Sequence, residues 1–95
     1  MLPFIEHGDR RFQVLAYHDA IRHDGPALEL AEVVDGEVGP ALVTVLFSVA
    51  DTDETEVLLT TGGLPLPIVA AFLEHAIREQ HRLGEQVPPE RKAQN

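Results

Sequence analysis

The residues best suited to acid–base or metal chemistry in this chain are histidines set beside carboxylates. His18-Asp19 and His23-Asp24 repeat a His-Asp pair at a spacing of five. Five residues place the two histidines on opposite faces of a strand, and roughly 140° apart on a helix. They converge only if a turn folds them together, so exposed polar residues at a hairpin end are the stronger reading. A second cluster, Glu74-His75 through Glu79 and His81, is a rearranged version of the zinc-protease helix. That motif needs two histidines four apart with Glu directly after the first. Here only His75 and Glu79 stand in the i,i+4 relation. Two ligands fall short of the three a metal site normally requires. His75 and Glu79 are therefore weak metal candidates, and a polar pair framing an apolar stripe explains them better.

Two loops invite a ligand reading and fail it in detail. Asp51-Thr-Asp53-Glu54-Thr-Glu56 has the carboxylate density of a calcium loop, but that loop wants Gly at position six and Glu at twelve. Glu56 and Gly62 stand there instead. Thr60-Thr61-Gly62-Gly63 leads from a strand toward a helix, where free N–H groups can hold phosphate. Pro65 and Pro67 remove donors from that region, and no Lys follows as in a P-loop. Nucleophilic catalysis is poorly supplied. Ser48 is the sole serine, lies outside any Gly-x-Ser-x-Gly elbow, and the chain has no cysteine. No enzyme activity and no cofactor are expected.

Whatever these residues do must be positioned by one small domain. The chain has 95 residues and 44% hydrophobic content, enough for a single core. Without cysteine it has neither disulfides nor thiolate metal ligands. The opening Met-Leu-Pro-Phe-Ile-Glu meets charge at Asp9-Arg10-Arg11, which is not the pattern of a cleaved secretion signal. The longest nearly uncharged stretch, Val57 to Leu73, is interrupted by Gly62, Gly63, Pro65 and Pro67. A membrane-spanning helix needs about 20 uninterrupted apolar residues. A cytoplasmic location is expected.

Net charge is −9, and its distribution is lopsided. Every Lys and Arg lies at Arg22 or earlier or at Arg78 or later, while ten acids fall between His23 and Ile77. Phosphate recognition needs clustered Lys and Arg, so neither nucleic acid nor an anionic membrane is an expected partner. Glu29, Glu32, Asp35, Glu37, Asp51, Asp53, Glu54 and Glu56 form an acidic surface suited to steering a basic protein partner. Plain solubility explains the same acids.

Periodicity predicts an α+β fold: an antiparallel meander of about four strands, with one C-terminal amphipathic helix packed on one face. Residues 11–21 alternate as a strand, with Phe12, Val14 and Ala16 on one side and Leu15 and Tyr17 on the other. His23-Asp24-Gly25-Pro26 is a turn, Ala27–Val34 a second strand, and Asp35-Gly36 a hairpin signal. Ala41–Ala50 is the best strand, and Glu56–Thr61 a fourth. From Ile68 the apolar residues Phe72, Leu73, Ala76 and Leu83 follow helical spacing until Gly84. The domain is expected to span residues 1–84, with 85–95 a polar, disordered tail.

One helix covers one sheet face. The expected covered face carries Phe12, Val14, Leu28, Leu30, Val43, Val45, Phe47 and Val49. The other face would keep Leu15, Tyr17, Ala31, Val33, Leu42 and Leu46 in water, a larger apolar patch than monomers usually show. A homodimer formed through that face or through a sheet edge is the expected remedy. The function expected is that of a small acidic, non-catalytic adaptor or inhibitor. The alternative is a small-ligand or metal-binding protein using His75 and Glu79.

Overall fold

In the computed structural model, residues 4–21, 23–49, 51–60 and 62–85 are described. The strands are β1 (Phe4–His7), β2 (Arg10–Asp19), β3 (Gly25–Val34), β4 (Glu37–Leu46) and β5 (Glu56–Leu59). A single 3-10 turn at Thr52–Glu54 precedes β5, and α1 (Leu66–Glu85) follows it. Each strand pairs antiparallel with its sequence neighbour, giving one sheet in the order β1-β2-β3-β4-β5. The architecture is the expected α+β meander with one C-terminal helix, wider by one strand.

The additional strand is β1. It is joined to β2 by a two-residue turn, with His7 opposite Arg10 and Gly8 at φ +62°. Gly supplies that left-handed backbone without a Cβ clash, so Gly8-Asp9 turns the chain tightly from β1 into β2. Asp35 and Gly36 both have positive φ, 53° and 79°, and close the β3–β4 hairpin with Val34 opposite Glu37. This tight closure lets β4 begin at Glu37, four residues earlier than the apolar run suggests, and it ends at Leu46 rather than continuing to residue 50.

The core lies between the sheet and α1. Phe12 and Leu30 are fully buried, and Val14, Val43, Val45 and Phe47 pack with them. Ile68, Phe72, Ala76 and Leu83 supply the buried stripe of the helix. Pro65 starts the helix through its carbonyl, which accepts N–H bonds from Ile68 (3.0 Å) and Val69 (3.2 Å). Having no N–H of its own, it leaves no donor unsatisfied there. The helix runs one residue beyond Gly84, so Glu85 belongs to it. The remainder of the expected tail lies outside the described residues. Val49, assigned to the core by alternation, is 37% exposed because β4 has already ended.

Of the residues expected on the opposite sheet face, Leu15, Tyr17, Ala31, Val33, Leu42 and Leu46, each is buried or half-buried. The pairing shifts between Leu30 and Ala31 and again between Ala31 and Val33. Such bulges re-aim side chains, and Leu42, half-buried, packs against the core cluster. Ala31 and Leu46 are buried, and Leu15, Tyr17 and Val33 are half-buried. The register also mixes polar residues into the rows: Leu15 stands beside Glu29, which stands beside Thr44, and Ala31 lies beside Gln13. Ala27 and Ala31 are small enough to be sheltered by larger neighbours in the same sheet.

Candidate functional site

The residues singled out for chemistry are dispersed, and most have local structural work. At the β2–β3 loop one contact crosses between the two His-Asp pairs. His18 Nε2 lies 3.3 Å from Asp24 Oδ1, while the His23 ring is 2.7 Å from the Phe47 carbonyl. Asp19 Oδ1 accepts the Ile21 N–H at 3.0 Å. A Cβ at Gly25 would sit 2.9 Å from His23 Nε2, so a larger residue there would make the His23 ring shift. The His23 ring thus ties the β2–β3 loop to the end of β4.

On α1, Glu79 is held by Arg82 through two bonds of 2.8 and 2.6 Å, which also hold its carboxyl below the usual carboxylate range. His75 Nδ1 lies 3.4 Å from Arg78 Nη2. Partial burial, with Arg78 nearby, pushes the His75 imidazole below its ordinary value. Among the described residues, no three His, Asp or Glu side chains come together to hold a metal ion.

The acids divide between the two ends of the sheet. Glu32 receives a bidentate Arg10 fork at 2.9 and 3.0 Å; these bonds, with the neighbouring positive charge, lower its pKa. The same guanidinium lies 4.9 Å from the Phe12 ring centre. Asp35 and Glu37 flank the β3–β4 turn at that end, and Glu29 is half-buried mid-strand. At the other end Asp51 organises its own turn, accepting the Asp53 N–H at its side chain and the Glu54 N–H at its carbonyl, both at 3.0 Å. Asp53, Glu54 and Glu56 are exposed beside it. The acidic segment Asp51–Glu56, whose sequence fails the calcium-loop pattern, contains an Asx turn at Asp51. Thr60, in the connector whose sequence argues against a phosphate loop, donates its hydroxyl to Ala41 O at 2.6 Å. Thr61 lies outside the described residues.

The feature that alternation did not single out is a groove between β5 and α1. Val57 and Leu59 face the helix side of the sheet, opposite Val45 and Val43, yet they are 48% and 73% exposed. The wall toward the helix is Val69, Phe72 and Leu73, and Gly62, Gly63 and Leu64 close one end. This half has a volume of about 420 Å³ and continues past Val57 and Leu73 toward Ile77, Ala76 and Gln80. Among the described residues, neither half is lined by a charged one. At the far end Thr55 donates to Gln80 Oε1 (2.7 Å), Gln80 Nε2 donates to Ser48 O (3.0 Å), and Ser48 N–H donates to Thr55 Oγ1 (2.9 Å). That closed triangle ties the approach to β5 to the helix.

Helix spacing explains the outer lip. Leu66, Leu73 and Ile77 stand at i, i+7 and i+11, within about 20° of one direction on the helix. They are 77%, 39% and 60% exposed. The core stripe through Phe72 takes a different face, so α1 has two apolar stripes and the sheet covers one. β5 adds a second unmet requirement. Among the described residues it is the last strand of the sheet, so one row of its backbone groups has no described strand beside it.

No helix in the described residues is long and apolar enough to cross a membrane. Compared with known proteins, the chain matches no family model, and no curated protein or solved structure is significantly similar to it.

Proposed function

We propose that this protein is a non-catalytic, cytoplasmic protein-interaction module, an adaptor or inhibitor, whose contact surface is the groove between β5 and α1. The supporting observation is the coincidence of an unpaired strand edge with an exposed apolar strip, Val57 and Leu59 below and Leu66, Leu73 and Ile77 above. Strand addition at such an edge supplies main-chain hydrogen bonds, and the flanking hollow accepts alternate side chains. A small-molecule site of this volume would ordinarily carry a few convergent polar groups. The wider half of the groove is lined by aliphatic, aromatic and glycine residues alone, which suits a polypeptide better. A metal site on His75 and Glu79 has less support, because Arg82 already occupies Glu79. The acids at the hairpin ends are available to steer a basic partner by long-range attraction.

The reading predicts that the chain travels in native extract as a species heavier than a single 10.4 kDa chain. Leu73→Glu, with an unchanged circular dichroism spectrum, travels as the single chain, because a carboxylate in the groove cannot be desolvated cheaply. Size fractionation of the two extracts decides it. Wild type eluting as a single chain contradicts the reading.

A further inference from the structure

Resting on that reading, we propose that the occupant of the groove is a second copy of this chain, joined β5 to β5 in antiparallel fashion to make one continuous ten-stranded sheet. The backbone direction of β5 comes first. Thr60 N–H bonds back to Leu42 O at 3.0 Å, so the even-numbered residues of this strand present N–H and C=O to β4. Val57 and Leu59 therefore point theirs outward, to the open edge. Under a twofold axis normal to the sheet and midway between the two copies of Leu58, Val57 of one copy lies opposite Leu59 of the other. Both positions carry outward N–H and C=O groups, so each such pair exchanges two hydrogen bonds, and symmetry supplies the second pair. All four free groups of Val57 and Leu59 are satisfied in that register.

Side chains agree with the backbone. Opposed residues in an antiparallel pair share a face, so Val57 and Leu59 of both copies form one apolar strip on the helix side. The two helices then lie on the same side of the joined sheet. Their Leu66, Leu73 and Ile77 ridges border the strip from either side and close the groove that one helix leaves open. The exposed apolar surface involved is on the order of 500 Å² per copy, the upper range of what monomers show and enough for the apolar centre of a standard-sized interface.

Charge favours a second copy over a basic partner at this site. The described residues of the groove lining are uncharged, so a cationic segment would find no counter-charge among them. In the Leu58-centred register Glu56 faces Thr60 of the second copy, not another Glu56. The Asp51–Glu56 turns are carried to opposite ends of the seam. A parallel pair would stack them, with the repulsion that brings. The other sheet edge is less suited: two of the four β1 residues, Glu6 and His7, are exposed polar side chains of the kind that protect edges from pairing.

The test is the mass of the purified full chain by sedimentation across the low- to high-micromolar range. The expected result is a reversible shift to twice 10.4 kDa. Leu59→Pro removes an outward N–H and leaves the bonds to β4 in place, a substitution tolerated at a strand edge. Because it acts twice across the axis, it should weaken dimerisation about 100-fold. Leu59→Lys, at a position already exposed, gives the same direction if the proline variant does not fold. Leu15→Lys on the opposite face should leave the dimer intact. A dimer that survives both Leu59 variants, or that Leu15→Lys dissociates, overturns the proposal. A chain monomeric at every concentration also overturns it, while the interaction reading is then decided separately by the extract experiment.

Discussion

Replacing Phe72 by Ala should cost about 3–5 kcal/mol of folding stability, the largest loss expected from any single helix substitution. Phe72 is 1% exposed, belongs to the central core and also forms part of the groove wall. Its removal strips contacts from Val43 and neighbouring side chains and leaves a cavity that a rigid sheet cannot collapse around. A domain of this size commonly has about 5–15 kcal/mol in total, so the variant should melt more than 10 °C lower, by about 4–8 °C per kcal/mol. Leu66→Ala on the same helix, at 77% exposure, should cost little by comparison in dilute solution. Urea titration of the two variants at one dilute concentration separates them. Equal, small losses would mean that the helix is not docked through Phe72.

Thr55→Val should cost about 2 kcal/mol, from two hydrogen bonds of roughly 1 kcal/mol each. The hydroxyl both accepts the Ser48 N–H and donates to Gln80. Valine keeps the shape and removes both functions. β5 is only four residues long and joins the sheet through β4 alone. The triangle of Ser48, Thr55 and Gln80 is the second restraint on its approach. Loss of that restraint should appear as faster amide exchange at Leu58 as well as a lower urea midpoint. A variant with wild-type stability and unchanged exchange would show that pairing with β4 holds β5 unaided.

Much of this fold is legible in the residues, for identifiable reasons. The run Val43–Leu46 alternates against β-branched neighbours, Asp35-Gly36 carries a hairpin signature, and Phe72, Ala76 and Leu83 share one helical stripe. β1 was not evident because Phe4–His7 is too short for a period to register, although Gly8-Asp9 ahead of Arg11 and Phe12 is the turn that permits it. The placement of Leu42 against the core was hidden by a bulge, which alternation cannot count through.

The groove was hidden for a different reason. Glu56-Val57-Leu58-Leu59 identifies a strand, but whether it is interior or terminal in the sheet is a property of topology. Leu66, Leu73 and Ile77 are spaced as a second apolar stripe, a signal available from the sequence alone. It was obscured because Leu73 also fits the core stripe and Ile77 sits at its margin. Excess apolar surface follows from composition; its location on the β5 edge, away from the far sheet face, follows from strand order and register.

The central claim is that the outward edge of β5 is paired in solution with another β5. Amide hydrogen exchange, followed residue by residue in concentrated and dilute samples, tests it most directly. Leu58 and Thr60, whose N–H groups face β4, should exchange slowly in both. Val57 and Leu59 should be protected in the concentrated sample and lose that protection on dilution. Rapid exchange of Val57 and Leu59 at every concentration would contradict the claim.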